Sequence, residues 1–151
     1  MAVNLFFTGK VPAEAAESLP LLEEAAETAL GAKFRKGTVN IIYTGDAGIR
    51  KINREFLNRD RVTDVIAFNY PPVPVKDESI VLGEIYVCLP QAKRQARTLG
   101  HSWLTEILTL TVHGSLHLSG MDDSTQELRD GMNRKTTRIL KKIAPQNIPN
   151  W

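Results

Sequence analysis

Apolar residues recur along this chain with two periods, and each period predicts its own elements. Short β-branched and aromatic runs at residues 3–8, 39–43, 62–68 and 80–88 predict four strands. Helical spacing appears in a segment from about 18 to 30, with Pro20 in its first turn and the stripe Leu22, Ala25, Ala26, Ala29 and Leu30. A second helix follows Asp46 and places Ile49, Ile52, Phe56 and Leu57 on one side. Pro90 opens a third helix that ends near Gly100, and Ser102 caps a fourth. That fourth run, with Leu104, Ile107, Leu108, Leu110, Val112 and Leu116, is apolar on most sides and therefore predicts a central, buried helix. A fifth helix, from about 124 to 143, turns Leu128, Met132, Ile139 and Ile143 inward. The Pro-rich connection holding Pro71, Pro72 and Pro74 reads as a mobile surface loop. Strands alternating with helices, then a helix-rich end, predict an α+β fold with a small mixed sheet of about four strands and about five helices.

Length and composition narrow the class. The 151 residues suit one domain spanning 1–151, with 42% hydrophobic and 24% charged residues close to ordinary globular usage. Residues 1–8 show no basic leader or long apolar stretch, so neither a signal peptide nor a membrane span is expected, and a cytoplasmic location is. Cys88 is the one cysteine; in a predicted strand it reads as a small buried hydrophobe rather than a nucleophile. The net charge of +2 permits nucleic-acid binding without arguing for it. Basic residues do gather in runs: Arg50, Lys51, Arg54, Arg59 and Arg61; Lys93, Arg94 and Arg97; and a third from Arg129 to Lys142. Solvated helix faces account for such runs more readily than a phosphate track does.

Chemistry concentrates in residues 113–123. His113 and His117 stand four apart on the central helix, about 40° apart around its axis and one turn apart along it, so both imidazoles can face one ion. Gly120 can end the helix and turn the chain, which brings Asp123 back as a third ligand. Two imidazoles and a carboxylate suit zinc, and three protein ligands leave a fourth position for water, the arrangement of catalytic sites. Zinc there would lower the pKa of water to about 7 and favour hydrolysis. The plainer reading is a pair of ordinary helix histidines. Against it, two of only three histidines in the chain fall at chelating spacing. Gly114 occupies the place where the zinc-protease pattern H-E-x-x-H has its glutamate, so peptidase chemistry loses its support.

The run His113-Gly114-x-Leu116-His117-Leu118-x-Gly120-x-Asp122-Asp123 resembles the YbeY-family motif H-G-x-L-H-L-x-G-x-D-H. Thr63-Asp64-Val65-Ile66-Ala67-Phe68 is similar to the family's P-T-D-V-L-S-F strand, and Leu82-Gly83-Glu84-Ile85 to its L-G-D-I strand. The likeness covers roughly residues 39–142. It implies a helix-borne zinc site with one Zn²⁺ per chain, and single-strand-specific endoribonuclease activity. It also implies work on the 3′ end of small-subunit ribosomal RNA and in ribosome quality control. Single-stranded RNA, ribosomal RNA and the ribosome or its small-subunit proteins are the implied partners. Two departures stand out. Asp123 replaces the motif's third histidine, with Asp122 an adjacent rival that matches the motif's own aspartate and reads as a turn residue. Leu57 stands where the family has an arginine, and Arg59, two residues on, either carries that phosphate contact from a shifted loop or is a solvated charge.

His101 reads as a surface residue or one at a helix start, outside the metal set. Glu84 and Asp64 are strand carboxylates that could orient ligands or accept protons, so the general base is unassigned. Trp103 and Trp151 offer stacking surfaces for bases, with Trp103 the better fit to the core. Two alternatives to RNA cleavage share the same residues: a ribosome- or RNA-binding module with a structural metal, and a metal-dependent hydrolase of another substrate.

Overall fold

The computed structural model describes residues 2–71 and 80–151. Four strands, β1 (Ala2–Phe7), β2 (Thr38–Thr44), β3 (Val65–Asn69) and β4 (Val81–Cys88), form one sheet in the order β1-β2-β4-β3. β1 and β4 both run parallel to β2, while β3 is antiparallel to β4 and forms an edge. The sheet is therefore mixed, as expected. Six α-helices accompany it among the described residues: α1 (Ala13–Ala16), α2 (Leu19–Leu30), α3 (Asp46–Leu57), α4 (Leu89–Leu99), α5 (Trp103–Leu118) and α6 (Gln126–Ile143). The single turn of α1 has no counterpart in the predicted set; at four residues it is too short to carry a periodic signal.

Alternation along the strands sends side chains to opposite faces and so selects what each face meets. Val39, Ile41 and Tyr43 of β2, with Ile85 and Val87 of β4, are fully buried in the main core beside α2 and α5. The other face holds a smaller cluster of Ile49, Ile66 and Cys88, covered by α3. α5 lies at the centre, with Ile107, Leu108, Leu110, Val112 and Leu116 buried around its whole circumference. Its start is set by Ser102, whose hydroxyl accepts the Thr105 N–H at 3.0 Å. Inside the core the Tyr43 hydroxyl pairs with Thr111 Oγ1 at 2.8 Å, and burial raises the phenol's pKa.

Some apolar positions fall outside the core. Leu128, predicted inward, is exposed, because the buried stripe of α6 begins one turn later at Met132 and continues through Thr136, Ile139 and Leu140. Phe56 and Leu57 are likewise exposed: α3 buries Ile49 and Asn53, while Phe56 meets Phe68 of β3 edge-on at the sheet's margin and Leu57 lines an open groove. β3 begins at Val65 rather than at Val62. Pro71 is exposed, and Pro72 and Pro74 lie outside the described residues. Among the described residues no helix is long and apolar enough to cross a membrane.

Candidate metal centre

The second half of α5 carries the histidines, and Gly114 between them explains how the helix comes so close to the sheet. A Cβ there would stand 2.5 Å from Ile85 Cγ2 and 3.0 Å from Val65 Cγ2. The residue that removes the protease glutamate thus has a packing reason to be glycine. Beyond α5, Gly120 adopts φ +107°, a conformation that L side chains avoid. Met121 then donates its N–H to the Leu116 carbonyl at 3.0 Å, closing the turn. Asp122 holds the next bend, accepting the backbone N–H groups of Asp123 and Ser124 and the Ser124 hydroxyl at 2.6 Å. Those bonds lower its pKa, the Ser124 hydroxyl most. It is a turn residue, and Asp123 is the carboxylate left facing the helix.

His117 and Asp123 meet, with 3.4 Å between Nε2 and Oδ2. On the other side of the His117 ring, Nδ1 lies 3.0 Å from the Met121 carbonyl, so Nδ1 donates there and Nε2 is the nitrogen turned toward Asp123. Arg129 donates to the Asp123 carbonyl at 3.3 Å and braces the loop. The His113 Nε2 is buried and has no hydrogen-bond partner among the described residues. Burial pushes the imidazole down to about 4, the nearby His117 adds to this, and the Asp123 carboxylate pulls the other way. A neutral ring with an unsatisfied buried nitrogen is costly unless something occupies that lone pair. Among the described residues no three His, Cys, Asp or Glu side chains are placed as a group to hold a metal ion. In chemical type, however, two imidazoles and a neighbouring carboxylate are donors that a divalent ion takes.

Arg59 lies on the loop after α3, which is pinned by buried Asn53: its side chain donates to the Arg61 carbonyl at 3.0 Å and its own carbonyl accepts the Arg59 N–H at 3.2 Å. A groove of about 340 Å³ runs from this loop along β3 to His117, and Leu57, Arg59 and Arg61 all line it. Arg59 therefore reaches the same groove as Leu57. Neither Arg59 nor Arg61 forms an ion pair among the described residues, whereas Arg50 pairs with Asp60 and Arg94 with Asp46.

Several candidates lie elsewhere. Glu84 accepts from the Tyr70 hydroxyl on the sheet face opposite α5. Asp64 caps its own strand through the Val65 N–H at 2.8 Å and receives a weak bond from Gln95. Cys88 is buried and donates toward Asp46, and burial raises its thiol pKa to about 11. Trp103 packs against the core with its Nε1–H on the Leu89 carbonyl. His101 does stand at the start of a helix, but its side chain is buried rather than at the surface: Nδ1 accepts the Asn150 N–H, so Nε2 donates to Glu106 at 2.7 Å. Trp151 stacks on the His113 ring, with centroids 5.6 Å apart and planes 10° from parallel. These last two arrangements join segments far apart in the chain, and no local pattern announces them.

The family described as Endoribonuclease YbeY matches residues 10–144. Proteins of that description from Elusimicrobium minutum and Chlorobaculum parvum are similar over nearly their whole lengths. The first is 45% identical over 145 residues, covering 95% of this chain and 100% of the relative. The second is 38% identical over 144 residues, covering 95% and 96%. A solution structure of a Thermotoga maritima protein superposes with a TM-score of 0.58 at 25% identity, covering 95% of this chain and 93% of that one. With the motif set on α5 and the mixed sheet beneath it, these likenesses agree on one assignment: the chain belongs to the YbeY family of endoribonucleases.

Proposed function

We propose that this protein is a metal-dependent endoribonuclease that cleaves single-stranded RNA at the His113, His117 and Asp123 centre. The observation that carries the reading is the buried, partnerless Nε2 of His113 beside the His117–Asp123 contact. A bound divalent ion, zinc being the one that suits this donor set, supplies a Lewis acid for the phosphodiester and makes a water more acidic. The chain's own residues do the rest. The Met121 carbonyl holds the His117 ring in the tautomer that presents Nε2. Asp122 and Arg129 hold the Asp123 loop against the end of α5. Arg59 and Arg61 offer guanidinium groups along the groove that ends at His117, where planar paired donors match phosphate oxygens. In the cell the reading follows the family likeness to cytoplasmic maturation of the 3′ end of small-subunit ribosomal RNA and to ribosome quality control.

Metal quantification on the purified protein is expected to find about one divalent ion per chain. His117→Ala should lose metal affinity by more than the roughly 10–100-fold typical of outer-shell changes, and cleavage of single-stranded RNA should go with it. Undiminished cleavage by that variant would overturn the reading. Tight RNA binding by the wild type without turnover would favour a binding module with a structural metal instead.

A further inference from the structure

A second groove, of about 350 Å³, opens beside His113 on the α6 side of α5 and is lined by Asp130, Asn133, Arg134, Thr137 and Trp151. Trp151 is the wall it shares with the metal centre. One indole face is taken up by His113, and its Nε1–H donates to Thr137 Oγ1 at 2.9 Å, so the ring is held at two points. Yet Trp151 remains 52% exposed and lines the open groove. A fixed, half-exposed aromatic ring loses little entropy when a flat partner stacks on it.

The neighbouring side chains supply what a nucleotide needs besides a stacking face. Arg134 is exposed and makes no ion pair among the described residues, so its guanidinium is open to a phosphate. Asn133 offers both a donor and an acceptor to a base edge. Asp130 already accepts from Gln126 at 2.8 Å and repels phosphate, which sets the backbone on the Arg134 side. Trp151 is placed by its neighbour: Asn150 donates its N–H to His101 Nδ1 and its side-chain amide to the Leu99 and Gly100 carbonyls. The ring over His113 is thus anchored at the start of α5.

We infer that this groove is a substrate subsite that holds one unpaired nucleotide of the RNA, its base stacked on the outward face of Trp151 and its phosphate on Arg134. Together with the Arg59 groove on the β3 side, it defines a track that carries a single strand across the metal centre. The interior of a duplex cannot use it, because both faces of each base there are already covered by the neighbouring pairs. The subsite rests on the RNA-cleaving reading for its ligand but not on the metal for its binding.

The test uses the protein as purified and a short 2′-O-methyl oligoadenylate, which resists cleavage. Stacking is expected to quench tryptophan emission. Trp151→Leu should weaken binding, read by anisotropy of a labelled oligomer, by roughly 5- to 150-fold, the range for losing one base stack. Trp151→Phe should retain part of the affinity and lose the quench. Arg134→Gln, an exposed position that leaves His113 untouched, should weaken binding and reduce the slope of log affinity against log salt by about 0.7. Wild-type affinity and salt slope in Arg134→Gln, or an undiminished quench in Trp151→Phe, would overturn the subsite. Those results in a wild type that still cleaves RNA would remove the subsite alone. A wild type that binds as described but does not cleave when loaded with metal would remove the catalytic reading and leave the subsite standing.

Discussion

Burial sets His113 apart from an ordinary helix histidine. The imidazole is held neutral to about pH 4, against its ordinary value of 6.5. Between those two values the unfolded chain binds a proton that the folded chain does not, so stability falls as the pH drops through that window and levels off below it. For metal-stripped protein the loss attributable to this one group is on the order of 3 kcal/mol. Chemical denaturation between pH 7 and pH 4 checks it, with His113→Gln expected to flatten that part of the profile. Asp123, at the position where the motif resemblance implies a third histidine, brings a carboxylate next to His117, so a metal centre built on it would carry less net positive charge than one built on three imidazoles.

Helix α5 lies close against β3 and β4, and the closeness is set by Gly114. Replacing it with alanine puts a methyl group against Ile85 Cγ2 and Val65 Cγ2, both fixed by strand packing. Gly114→Ala is therefore expected to destabilise the fold by roughly 1–3 kcal/mol, the usual range for an overpacked core, despite alanine's better helix propensity. Thermal or denaturant unfolding reads this directly; an unchanged midpoint would mean that the helix and sheet separate freely. The two ends of α5 divide the labour. Ser102 and the buried His101–Glu106 pair fix its start, while the turn at Gly120 returns the chain so that Asp123 reaches His117.

Across the whole molecule, charge is distributed with an order that the sum of +2 conceals. Arg50 and Arg94 are engaged by Asp60 and Asp46, whereas Arg59 and Arg61 face the groove that leads to His117 without carboxylate partners among the described residues. Affinity for single-stranded RNA is expected to fall with salt, and Arg59→Gln to weaken binding about equally for all sequences while lowering the salt slope by about 0.7. Titrations at several salt concentrations decide it. An unchanged slope would return Arg59 to the status of a solvated loop charge.

Four strands, five of the six helices among the described residues, and the helix that carries the histidine motif were legible in the sequence because each rests on local spacing: period two, period 3.6, a capping serine, and a glycine after the last turn. The same spacing overreached at Phe56, Leu57 and Leu128, since amphipathicity names a face but not how far the neighbouring element extends to cover it. Tertiary structure alone decided the strand order, the burial of His101 against Glu106, the shared groove of Leu57 and Arg59, and the stacking of Trp151 on His113. Each of these joins residues through space rather than along a helix or strand, and periodicity within one segment carries no information about the partner that another segment brings to it.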